Sequence, residues 1–199
     1  MTPPGNLFVI AAPSGTGKTS LVQALVERTP GLTVSISHTT RPKRPSEKDG
    51  INYHFIDEKQ FKEMIERKEF LEHAIVFHHH YGTTQAWVKE TLAKGLDVIL
   101  EIDWQGCQQI QALFPDCISI FILPPSLSDL EERLKKRNQD KHDIIQARLK
   151  DATETIKHIH EYQYLVINAD FDQAVRELQH IVLASRLLRR RQALKLPFY

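Results

Sequence analysis

The segment Leu7-Phe8-Val9-Ile10-Ala11, followed at once by Ala12-Pro13-Ser14-Gly15-Thr16-Gly17-Lys18-Thr19, limits what this chain can fold into more than any other feature. An apolar run rich in strand formers leads into a glycine-rich turn. Leu21, Val22, Leu25 and Val26 then recur at helical spacing, as far as a stop at Thr29-Pro30-Gly31. Strand, tight turn and helix in this order make a cradle for phosphate. Gly15 and Gly17 let the backbone turn so that successive N–H groups point inward, and the helix N-terminus adds partial positive charge. Lys18 stands where it can reach the β- and γ-phosphates of ATP, and the Thr19 hydroxyl where it can ligate Mg²⁺. The pattern is a Walker A loop in which Ala12 replaces the usual first glycine.

Four more apolar runs read as strands, at residues 32–36, 98–102, 117–123 and 164–167. None alternates with polar residues, so all are expected to be covered on both faces of a parallel sheet. Helical patterns fall between them at 86–94, 106–113, 126–137 and 144–159, and a last helix at 171 to about 194 should cross the sheet. The expected class is therefore α/β, a P-loop NTPase-type parallel sheet flanked by helices. Residues 38–84 break this rhythm and read as an inserted subdomain with one helix from 58 to 67. A charged stretch at 133–150, interrupted by Asn138-Gln139-Asp140, is the second departure.

Composition removes other classes. The 199 residues include 26 Lys+Arg and 25 Asp+Glu, a balance that gives no reason to expect a nucleic-acid partner. No apolar run approaches the ~20 residues of a membrane span, and the N-terminus carries no export pattern. Cys107 and Cys117 have neither metal nor redox spacing, so a reducing, cytoplasmic setting is expected. Glu101 and Asp103 close the run 98–103 two residues apart, hence on one face of the strand. Carboxylates there suit an Mg²⁺ or substrate ligand beside the loop.

Taken together, these segments resemble the guanylate kinases, which phosphorylate GMP with ATP. The resemblance rests on A-P-S-G-T-G-K-T-S-L at 12–21, S-I-S-H-T-T-R-P-K-R-P at 35–45, F-L-E-H-A at 70–74 and H-Y-G-T-T at 80–84. I-D-W-Q-G at 102–106, F-I-L-P-P-S at 121–126 and V-I-N-A-D at 166–170 complete it, in family order over nearly the whole chain. Glu101 stands where many relatives carry Asp, and Asn138 where a Gly is usual. The resemblance implies a core at 1–36, 85–130 and 153–199, a GMP-binding insertion at 37–84 and a helical lid at 131–152.

It also implies roles. Ala12 to Thr19, with Asn168 near the adenine, would bind ATP. Arg41, Arg44, Tyr53 and Tyr81 would hold the GMP phosphate, for which guanidinium forks and phenolic hydroxyls are suited. Glu72 would accept the guanine N1–H and N2–H₂ donors, and Ser37 and Thr83 would serve O6. Asp103 and Glu101 divide two tasks, an Mg²⁺ ligand beside Thr19 and a partner for the guanine amino group, in an order the residues leave open. Arg133, Arg137 and Arg148 would close over the transferring phosphoryl group with Lys18 and Arg44. The nucleophile is a GMP phosphate oxygen, largely dianionic at neutral pH, so no catalytic base is needed. GMP is the implied acceptor, with dGMP its close analogue.

Some features carry less. His78-His79-His80 reads as a solvated loop, Arg189-Arg190-Arg191 as a solvated helix end, and Trp104 and Gln105 as packing residues. Asp170 fits a helix cap as well as an adenine contact. The rival functions are a protein-binding scaffold of the same fold and a related kinase with another acceptor.

Overall fold

The computed structural model describes residues 3–136 and 142–196. β1 (Leu7–Ala11), α1 (Lys18–Arg28) and β2 (Leu32–Val34) come first. β3 (His38–Thr39), β4 (His54–Phe55), α2 (Glu58–Glu66), β5 (Phe70–Val76) and β6 (His79–Thr84) follow. Then come α3 (Gln85–Ala93), β7 (Asp97–Glu101), α4 (Trp104–Leu113), β8 (Ile118–Leu123), α5 (Leu127–Lys136) and α6 (His142–Ile156). β9 (Tyr164–Ile167), α7 (Phe171–Ser185) and the short α8 (Arg189–Gln192) end the chain.

The five core strands form a parallel sheet in the order β2-β7-β1-β8-β9. β1 is buried throughout, and its alternation divides the core in two. Phe8 and Ile10 face Leu21, Leu25, Val175 and Leu178 of α1 and α7, whereas Leu7, Val9 and Ala11 face Val88, Cys107 and Ile110 of α3 and α4. With helices on both faces, ligands collect at the carboxyl ends of the strands. Those ends carry the glycine-rich loop after β1, Glu101 at the end of β7, and Asn168 after β9.

Two expectations fail at the edges. β9 is not covered on both faces: Val166 is buried, but Leu165 and Ile167 are 50% and 55% exposed. It is the last strand of the sheet, so an apolar sequence there did not require burial. The final helix stops at Ser185 rather than near 194. Arg186 caps α7 and turns its guanidinium to the Pro30 carbonyl and to Asp97, and the chain resumes as α8.

That arrangement also corrects the reading of Arg189-Arg190-Arg191. Arg190 does reach the surface acid Asp116. Arg191, however, packs inward onto fully buried Asp97, 2.6 Å from Oδ1, while Arg186 Nε lies 2.7 Å from Oδ2. The Asn6 N–H donates to the same carboxylate. Asp97→Ala would leave two inward-turned guanidinium groups without their anion, and is expected to cost about 3–5 kcal/mol in urea unfolding. A loss below about 1 kcal/mol would mean that water replaces the carboxylate.

The expected insertion at 38–84 contains, beyond its helix, a second sheet in the order β4-β3-β6-β5. α2 begins with a capping box of Asp57 and Gln60 and buries Phe61 against Phe70, ring centroids 4.4 Å apart. A β-bulge lies between Phe70 and Glu72, where Phe70 pairs with Thr84 and Glu72 with Thr83. Bulges re-aim the side chain that follows them, and here that side chain is Glu72. α5 and α6 share a small core of Leu130, Leu134, Ile145 and Ala152. Arg137 and Asn138 lie outside the described residues.

Candidate active site

The loop after β1 has the geometry its glycines predict. Gly15 and Gly17 adopt φ of 94° and 98°, backbone that other residues rarely take. Close packing adds a second reason for glycine. A Cβ on Gly15 would lie 2.7 Å from Leu134, and one on Gly17 2.9 Å from the Asn168 amide. α1 starts directly at Lys18 with no side-chain cap, so the N–H groups of its first turn have no helical acceptors. That is an anion site by construction.

Lys18 is half-buried and donates to the Ile102 carbonyl at 3.4 Å. Burial lowers its pKa, and the carboxylates of Glu101, Asp103 and Glu72 oppose the shift. A cation thus sits among three acids at the foot of the cleft. Thr19 Oγ1 donates to Glu101 Oε2 at 3.1 Å. Asp103 instead caps α4, with Oδ1 accepting from the Gly106 N–H and Oδ2 from Gln105. The two acids therefore have different neighbours, although they leave the same strand end.

Across the cleft, Glu72 is 3% exposed. Burial pushes its carboxyl up to about 7; nearby Asp103 adds to this, while hydrogen bonds from Thr83 and the charge of Lys18 pull the other way. Ser37 Oγ and Thr83 Oγ1 lie 3.2 Å apart. Arg41 stacks over Tyr53 and Phe55 and pairs with Glu47 at 2.6 Å. Glu47 also accepts the Arg44 N–H. Burial of Tyr53, next to Tyr81, pushes its phenol up to about 12, so it remains a donor.

Lys18, Thr19, Ser37, Arg41, Arg44, Tyr53, Glu72, Glu101 and Asp103 line one cavity of about 730 Å³, together with Ala12 to Gly15, Gly17, Tyr81 and Arg148. Five of the candidate ligands read from the sequence do not line it among the described residues. Thr16 and Thr83 are fully buried behind it. Arg133 and Asn168 clamp the loop from its far side: Arg133 donates to the Thr16 and Asn168 carbonyls, and Asn168 Nδ2 to the Thr16 carbonyl at 2.7 Å. Asp170 caps α7 through the Gln173 N–H.

The family described as guanylate kinase matches residues 4–185. The chain belongs to the guanylate kinase family. It is 55% identical over 192 residues to the guanylate kinase of Saccharophagus degradans, covering 96% of this chain and 94% of the relative. The Coxiella burnetii guanylate kinase is 56% identical over 191 residues, with 96% and 93% covered. The solved guanylate kinase of Anaplasma phagocytophilum superposes with a TM-score of 0.78 at 30% identity, over 96% and 91% of the two chains. A Sinorhizobium meliloti gluconokinase, at 19% identity and a TM-score of 0.50, shares the fold.

Within this guanylate kinase fold, sequence reasoning missed Glu47, which organises both arginines of the 41–45 turn. Beyond Arg148, it also missed the cavity face of α6, to which Ile144, Ala147, Asp151 and Thr155 belong. The three-and-four spacing of those residues was a usable signal. Gln105 is more than packing, since it holds Asp103 and donates to the Ile75 carbonyl. Trp104 does pack, stacked on His158 with centroids 3.9 Å apart. No helix among the described residues is long and apolar enough to cross a membrane.

Proposed function

We propose that this chain transfers the γ-phosphoryl group of ATP to GMP, giving ADP and GDP. The observation that carries this reading is the buried Glu72 carboxylate in the same cavity as the phosphate loop. A protein-binding scaffold has no use for an intact cradle, a lysine and a buried acid lining one cleft.

The loop N–H groups and Lys18 bind the triphosphate. Arg41, Arg44, Tyr53 and Tyr81 hold the GMP phosphate, and Glu47 keeps Arg41 in place until a phosphate competes for it. Glu72 accepts the guanine edge with Ser37 beside it, and Thr83 supports both from behind. Thr19 and Glu101 offer hard oxygen donors side by side, which fits Mg²⁺. Mg²⁺, when bound, supplies charge neutralisation at the β- and γ-oxygens. Asp103, as the α4 cap next to Glu72, is the acid on the guanine side.

A GMP phosphate oxygen attacks the γ-phosphorus in line, the bond to the β,γ-bridging oxygen breaks, and ADP carries away the electron pair. The residues' task is alignment and neutralisation of charge. We assign the GMP-binding part to 37–84 and the lid to 131–152. Arg148 enters from the lid, whereas Arg133 steadies the loop.

The test is ADP formation from Mg·ATP with GMP, dGMP, AMP, CMP or UMP supplied separately. GMP is expected to exceed AMP about a hundredfold or more. Folded protein that turns over none of them would overturn the reading, and turnover with another acceptor would discard the guanine pocket alone.

A further inference from the structure

The insertion sheet ends at β5, whose outward backbone groups pair with no strand among the described residues. His73 and Ile75 point theirs at α4, and two glutamines answer. Gln109 Oε1 accepts the His73 N–H at 3.1 Å, and its Nε2 donates to the His73 carbonyl at 2.8 Å. Four residues earlier on the same helix face, Gln105 donates to the Ile75 carbonyl. A side-chain amide offers donor and acceptor together, which neither Glu nor Lys does.

Glu72 directly precedes His73. Its carboxylate lies against Gly106, the residue after Gln105, so closely that a Cβ there would stand 2.5 Å from Oε2. The bulge at 70–72 fixes the chain on one side of Glu72, and the Gln109 pair fixes it on the other. His73 is exposed, so water could satisfy its backbone without any glutamine. The bidentate contact therefore specifies position rather than filling an otherwise unmet need.

We infer that Gln109, assisted by Gln105, is a positioning residue for acceptor specificity: it clamps β5 to α4 and so sets the Glu72 carboxylate at the guanine end of the cleft. This rests on the reading of Glu72 given above. It predicts a defect confined to the acceptor, because the clamp touches neither the phosphate loop nor Lys18.

Gln109→Met keeps length and removes both hydrogen bonds to His73, along with a longer one from Nε2 to the Gln105 carbonyl on its own helix. KM for GMP is expected to rise about tenfold, the effect of a displacement well under 1 Å. The kcat at saturating GMP and the KM for ATP should stay within about twofold. In a Glu72→Gln background the same substitution should add almost nothing, because the group it positions is gone. Gly106→Ala presses a methyl on Glu72 with the clamp intact and should give the same acceptor-only defect, which also covers the case of a Gln109 variant that folds poorly.

An unchanged KM for GMP in Gln109→Met, or an equal rise with and without the Glu72 carboxylate, would overturn the clamp. Wild-type protein without GMP turnover would overturn the reading of the site and the clamp with it. GMP-specific wild-type turnover beside an insensitive Gln109→Met would overturn the clamp alone.

Discussion

Lys18→Met is expected to lower kcat by ~10³ or more, with the fold retained. Methionine matches the length of the lysine stem, so the space the stem occupies stays filled and only the ammonium is lost. That ammonium feels the charges of Glu101, Asp103 and Glu72 together. In the reaction it would face the charge that builds between the β- and γ-phosphates. Arg133 does not stand in for it, being held by the Thr16 and Asn168 carbonyls.

A second readout separates this account from simple misfolding. Lys18 is one of the groups holding the Glu72 carboxyl down. Its loss should raise that pKa further, which carboxyl-labelled NMR would detect in the ligand-free variant. Turnover within tenfold of wild type would remove Lys18 from the mechanism. An unshifted Glu72 would mean that the two groups do not share a field.

The parts of this molecule that were legible in the sequence are those fixed by local spacing. The glycines at 15 and 17, the lysine after them and the apolar run before them define strand, loop and helix without reference to the rest of the chain. β9 shows the limit of the same logic, since an all-apolar Y-L-V-I reads alike at the centre and at the edge of a sheet. The insertion sheet was hidden for a different reason. β3 and β4 have two residues each, too short for any periodicity, and they exist because His38 and Thr39 pair with residues more than a dozen positions away.

Site residues divide in the same way. Arg41 and Arg44 announce themselves as a basic turn, but Glu47 becomes meaningful only once the turn folds back on it. Gln109 is an ordinary polar residue on a helix until β5 arrives at its amide. Arg191 looked like a solvated charge because Asp97, its partner, is 94 residues away in the chain. Long-range polar contacts leave no periodic trace, and they carry most of what was missed.

Glu72→Gln is expected to reduce the preference for GMP over AMP by ~10² or more, and at the same time to stabilise the ligand-free protein above pH 7. The first effect follows from donor counting. Guanine presents N1–H and N2–H₂ side by side, and one carboxylate accepts both, whereas a glutamine amide sets an N–H against one of them. Adenine offers a bare acceptor at N1, which the carboxylate repels and the amide tolerates. The stability effect follows from burial. The Glu72 carboxyl rises from 4.5 to about 7 on folding, so the folded state binds its proton more tightly than the unfolded chain. That contribution is full below about pH 4.5 and is lost as pH rises through about 7; glutamine has no charge to desolvate over the same window.

The two effects meet in the pH dependence of GMP binding. The base needs the carboxylate, so below about pH 7 binding must first expel the Glu72 proton, and affinity should fall roughly tenfold per pH unit. The GMP phosphate titrates near ~6 as well, but it does so equally for both proteins. The ratio of wild-type to Glu72→Gln affinity, measured by calorimetry from pH 5.5 to 8.5, therefore isolates Glu72. A ratio that climbs and levels near pH 7 places the carboxylate on the base. A flat ratio would mean that Glu72 meets GMP already ionised or not at all, and an unchanged preference over AMP would decide for the second.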